Sequence, residues 1–91
     1  MAKKVWKWVI PYHSHLTVSL PVNAKPVKVG MQYNHVVIWI ELDTEVTDKV
    51  DHVFKAFPTG GEIPWKTNHI DTIFDSGYVW HVYEVLGEFN G

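Results

Sequence analysis

Residues 36–43 read VVIWIELD. Successive side chains of a strand point to opposite faces, so Val36, Ile38, Ile40 and Leu42 share one side and Val37 and Trp39 the other. A strand apolar on both faces is expected at the middle of a sheet, covered on both sides. The segment therefore sets the fold as a central β-strand with the other elements arranged around it.

Working outward, period-two alternation between turn signals continues in both directions, and no useful window carries a 3.6-residue stripe. Asn34-His35 links the segment to a strand over about 26–33, with Val27, Val29, Met31 and Tyr33 opposite Lys28, Gly30 and Gln32. PVNAKP precedes it, and before that a strand over about 15–20 alternates Leu16, Val18 and Leu20 against His15, Thr17 and Ser19. The first strand, about 4–10, sets Trp6, Trp8 and Ile10 against Val5, Lys7 and Val9, and Pro11 ends it because proline cannot donate to the ladder. Downstream, DTEVTD leads to KVDHVFKAF, the long loop PTGGEIPWKTN, HIDTIFD and YVWHVYEVL, with Asp75-Ser76-Gly77 as the last hairpin turn. The tail GEFNG is expected to fray. The pattern specifies an all-β protein, a small antiparallel sandwich or barrel-like domain of about seven strands. One domain spans 1–91, with its core over about 4–86.

Composition narrows the function. With 46% hydrophobic and 14% aromatic residues the chain has enough apolar material for one core, which excludes the disordered class. The absence of cysteine removes disulfides, thiolate nucleophiles and cysteine zinc sites, and suits a reducing compartment such as the cytosol. No run approaches the roughly 20 apolar residues that span a bilayer, so no membrane association is expected.

Charge is distributed unevenly. All basic residues are lysines, and without arginine the chain lacks the side chain best suited to bidentate contacts with phosphate or guanine, so extended nucleic-acid binding is not expected. Lys3, Lys4, Lys7, Lys25 and Lys28 all precede the first acid, Glu41, whereas every carboxylate side chain lies from Glu41 onward. Such a division suits an anion-binding face, complementary surfaces in an oligomer, or charges that simply intermix on folding.

Catalytic machinery is not evident. Ser14, Ser19 and Ser76 lack a nucleophile elbow or a recognisable base, and Asp43/Glu45 and Asp48/Asp51 sit in or beside an exposed connection. His13 and His15 are two residues apart and would share the polar side of a strand, yet no third ligand occurs before His35, so solvated or hydrogen-bonded histidines are expected and neither metal nor cofactor. His81 reads as a hydrogen-bonded histidine or a pocket lining. The loop FPTGGEIPW carries the most suggestive chemistry. Gly60-Gly61 offers backbone N–H groups, Thr59 a hydroxyl, and Trp65-Lys66 a stacking surface beside a charge. Lys7, Lys28 and Tyr33 on the basic front strands complete the expected ligand contacts. The alternative is a loop of turn residues with Trp65 capping the core.

These motifs also carry a resemblance. From Val5 to Val85 the chain resembles a family of small bacteriophage proteins carried as a domain of unknown function. VWKWVI matches its aromatic-Lys-aromatic opening strand, LPVNAKPVKV its Leu-Pro followed by Ala, Gln32 a Gln ending the third strand, and VVIWIELD a strand with a central Trp. Thr59, Gly60, Ile63 and Pro64 match its Thr-Gly-x-x-Ile-Pro loop, and Thr72, Gly77 and HVYE at 81–84 its closing hairpin; Pro58 stands where the family usually has Gly. The resemblance implies a phage origin, a compact β fold and no established activity, and it brings no catalytic residues to carry over. It leads to the expectation of a non-enzymatic accessory protein in the host cytoplasm, a counter-defence homo-oligomer that sequesters a nucleotide-type signal. Two alternatives are an inhibitor that occludes a host protein through an aromatic patch and a minor virion or assembly component.

Overall fold

The computed structural model describes residues 2–87. Alternation produces seven strands: β1 (Lys3–Ile10), β2 (Leu16–Pro21), β3 (Lys25–Gln32), β4 (His35–Asp43), β5 (Lys49–Pro58), β6 (Thr67–Asp75) and β7 (Tyr78–Val85). They form two antiparallel sheets, three-stranded β1-β4-β3 and four-stranded β2-β5-β7-β6, stacked as a sandwich. Among the described residues no helix is long and apolar enough to cross a membrane.

VVIWIELD lies in β4, the middle strand of the smaller sheet. Its β-branched residues fit a pleated surface, and Val36, Ile38 and Ile40 are fully buried against the other sheet. Trp8 and Ile10 on β1 and Val29 and Met31 on β3 lie beside them on the same face. Leu20 of β2, Phe54 and Ala56 of β5, Ile73 of β6 and Trp80 and Val82 of β7 supply the facing layer. Among the described residues the second face of β4 has no layer over it. Val37 is nonetheless 2% exposed, sheltered by side chains of its own face, and Trp39 is only half-buried.

Three local features depart from simple alternation. The β3–β4 turn is Tyr33-Asn34, with φ of 52° and 64°, the two left-handed residues of a type I′ hairpin. A register shift between Pro26 and Lys28 displaces Val27, and another between His69 and Asp71 displaces Ile70. His13 has φ 57°, which turns the chain before β2 and separates His13 from His15 instead of aligning them on one strand face. The tail expected to fray lies outside the described residues beyond Gly87.

Candidate functional site

The strand order assembles the basic front of the chain. β1 and β3 flank β4, and the registers Lys7↔Trp39 and Lys28↔Trp39 place the two lysines directly opposite the indole on either side. Residues opposite one another in an antiparallel pair share a face, so Lys7, Trp39 and Lys28 form one row across the outer face. A second row follows the same parity, Lys25 opposite Glu41, with Lys3 ion-paired to Glu41 at 3.6 Å. The outer face thus carries Lys3, Lys7, Lys25 and Lys28 together with Glu41 and Asp43; the two acids lie at the Lys3 and Lys25 end, and Lys7 and Lys28 alone flank the tryptophan. Lys7 Nζ donates to Gln32 Oε1 at 2.7 Å, which fixes one side of the row. Lys25 and Lys28 form no ion pair among the described residues.

Gly30 makes room for the indole. A Cβ there would lie 3.7 Å from Trp39 Cζ3, ordinary contact distance, so Gly30→Ala is expected to be tolerated and Gly30→Val to displace the ring. Tryptophan emission in the two variants, unchanged in the first and shifted in the second, checks this.

The loop expected to bind an anion has a different arrangement. Thr59 and Gly60 are the central residues of a turn closed by Gly61 N donating to Pro58 O at 3.0 Å, and Gly60 supplies the required positive φ of 88°. The Gly61 N–H is thus used inside the loop. Thr59 Oγ1 instead meets His81 Nε2 at 2.8 Å, and His81 Nδ1 meets Thr72 Oγ1 at 3.1 Å, which in turn meets His69 Nε2 at 2.9 Å. Four residues from the β5–β6 loop and both closing strands therefore share one hydrogen-bonded chain. Trp65 is 98% exposed and does not cap the core. It borders a hollow with Pro64, Lys66, Val85 and Gly87, all of the four-stranded side. Tyr33, 87% exposed, stands at the β3–β4 turn. The expected contacts thus occupy three places: the loop, the turn, and the Lys7–Trp39–Lys28 row.

The remaining histidines have local partners. His52 is buried between Glu84 Oε2 at 2.9 Å and Pro21 O at 3.1 Å, and His13 packs edge-on to Trp80 with ring centroids 6.5 Å apart. Among the described residues no group of three or more His, Asp or Glu is placed to hold a metal ion.

Two features escaped the sequence. Trp6 and Trp8 face inward, but Trp6 stays 55% exposed in an open cleft of about 290 Å³ between the sheets, opposite Leu20 and Pro21, with Lys4 and Lys49 at its rim. Their shared parity was legible, whereas the missing cover depends on which strands of the other sheet lie opposite. At the other end Tyr12, Tyr78 and Trp80 cluster, with centroids 5.2 Å (Tyr12–Trp80) and 6.4 Å (Tyr78–Trp80) apart.

The Tyr12 hydroxyl donates to Asn34 O at 2.8 Å. Burial, and secondarily the charge of Asp75, holds its phenol above the usual tyrosine range. The folded state favours the neutral phenol. Its contribution is complete below the ordinary value of ~10 and is lost as pH rises through the raised one. A phenolate absorbance titration should lose its late component in Tyr12→Phe, and loss of an ordinary component instead would contradict the assignment.

The model of a domain of unknown function, DUF7352, matches residues 1–89. No curated protein and no solved structure matches the chain.

Proposed function

The chain belongs to that family of unknown function, and from the face of its smaller sheet we propose that it is a non-enzymatic binder of a nucleotide-type anion. The observation that carries the reading is Trp39 flanked in one row by Lys7 and Lys28. Every base has a π-face, and a base stacked on an aromatic side chain gains ~1–3 kcal/mol while neighbouring lysines attract phosphate as point charges. A single tryptophan on the face suits one base rather than an extended strand. In this reading the protein is a phage accessory factor in the host cytoplasm, withdrawing a nucleotide-type signal from a defence pathway; the phage setting rests on the resemblance in the sequence.

A second reading, occlusion of a host protein, is favoured by Val5 and Val9, which are about half-exposed on the same face. Thermal-shift and tryptophan-quenching titrations with a panel of linear and cyclic nucleotides separate the two. The nucleotide reading expects at least one member to raise the melting temperature, with affinity falling about five-fold or more in Trp39→Leu, as loss of ~1–3 kcal/mol of stacking implies. Lys7→Glu/Lys28→Glu should abolish binding. Trp65→Ala and Lys66→Ala report whether the loop takes part. No response to any nucleotide, or unchanged affinity in the double lysine variant, would reject this site.

A further inference from the structure

A sandwich of two open sheets has four edge strands, here β1 and β3 of one sheet and β2 and β6 of the other. Edge strands expose unpaired N–H and C=O groups, and proteins blunt them with prolines, bulges, charges or short length. β3 carries Pro26 and the displaced Val27, β6 carries the displaced Ile70, and β2 has only six residues ending in Pro21. β1 differs: its eight residues pair with β4 in unbroken register from Lys3 to Ile10 with no proline and no bulge. Among the described residues its outer edge has no backbone partner. Between its lysines it exposes apolar side chains on both faces, Val5 at 53% and Val9 at 45% on the outer one and Trp6 at 55% on the inner one, whereas Ile10 at its end is buried in the core.

We propose that β1 pairs antiparallel with β1 of a second copy of this chain, about a two-fold axis at Trp6, joining the two small sheets into one six-stranded sheet. The lysines of β1 and the extent of pairing together select that register, since an axis at Trp8 also opposes no lysines but pairs only residues 6–10. For the sheet faces to continue, residues of equal parity must lie opposite one another. An axis at Lys7 would oppose the two Lys7 side chains, and an axis at Val5 would oppose Lys3 to Lys7, both like-charge pairs that destabilise a ladder. An axis at Trp6 sets Trp6 against its counterpart, Val5 against Lys7, Lys4 against Trp8 and Lys3 against Val9, so no lysine lies directly opposite a lysine. Lys4 gains an indole neighbour and each Trp6 an aromatic one. The mouth of the cleft beside β1 then receives the partner's tryptophan, which gives the inward-facing but exposed Trp6 its cover. This pairing is independent of any ligand on the Trp39 face.

Sedimentation equilibrium of the full chain should give twice the chain mass, and Trp6→Lys, which sets like charges on the axis, should give a folded monomer. Because the chain has no cysteine, single-cysteine variants read the register directly, with antiparallel neighbours spaced for a disulfide. Trp6→Cys should cross-link to itself on mild oxidation. Lys3→Cys and Val9→Cys should each stay uncross-linked alone and link when mixed. A monomeric wild-type protein would overturn the proposal, as would self-linking of Lys7→Cys in preference to Trp6→Cys.

Discussion

Phe54→Ala is expected to cost about 3–5 kcal/mol of unfolding free energy. Phe54 is 1% exposed, lies at the centre of β5 opposite Leu16 of β2 and Glu84 of β7, and faces the β4 aliphatic row across the sandwich. Removing its ring takes away transfer energy and leaves a cavity between two sheets whose hydrogen-bonded ladders resist collapse. A chain of this length has a total stability of about 5–14 kcal/mol at roughly 0.05–0.15 kcal/mol per residue. The substitution therefore consumes about a fifth of it or more. For a domain of this size each kcal/mol corresponds to about 4–8 °C, so a fall of roughly 12 °C or more is expected in thermal denaturation. Phe74, on the same four-stranded sheet but 78% exposed, supplies the control. Phe74→Ala should change stability by less than about 0.5 kcal/mol, as is usual for surface positions. Urea denaturation of the two variants checks both, and comparable losses would show that the facing layer is assembled differently.

Such a core was legible because its signal is local. Alternation along β1, β2 and β4 assigned Trp8, Ile10, Leu20, Ile38 and Ile40 to their faces without knowledge of the neighbours, and Pro11 marked where β1 stops. Features that depend on pairing were not legible in the same way. Lys7 and Lys28 could be chosen for charge, but their convergence on Trp39 follows from β1 and β3 both choosing β4, a choice made by the fold as a whole. The sequence around Trp39 predicts a doubly covered strand, because two apolar faces signal a central strand but do not say whether the second is covered by a layer or by its own neighbours. Val27 and Ile70 broke the alternation through bulges, which need one extra residue relative to a partner strand and so have no signature in one strand alone. The Thr59–His81–Thr72–His69 chain is likewise a product of the β5–β6 loop meeting the closing hairpin.

The same dependence on pairing makes Glu84 the second site of large effect. Glu84 of β7 lies opposite Phe54, and its carboxyl reaches His52 Nδ1 at 2.9 Å while His52 Nε2 meets Pro21 O at 3.1 Å. A backbone carbonyl can only accept, so Nε2 carries hydrogen. A carboxylate can also only accept, so a second hydrogen must lie between Nδ1 and Glu84, and the pair is built as imidazolium with carboxylate or as neutral imidazole with carboxylic acid. Both forms are neutral overall, which fits a histidine only 7% exposed. Glu84→Leu leaves a buried Nδ1 without a partner and removes the bond from β7 to β5, and is expected to cost about 2–4 kcal/mol. Glu84→Gln should cost less than about 1 kcal/mol, because its amide can donate to Nδ1 of a neutral imidazole and the bond to Pro21 survives. Urea denaturation of the two variants gives the comparison, and equal losses would show that the carboxyl acts through charge rather than through hydrogen-bond pairing. His52 lies 6.2 Å from Phe54 with ring planes 5° apart. Neighbours in contact couple, so Phe54→Ala combined with Glu84→Leu should depart from the sum of the single losses, whereas Phe74→Ala combined with Glu84→Leu should be additive.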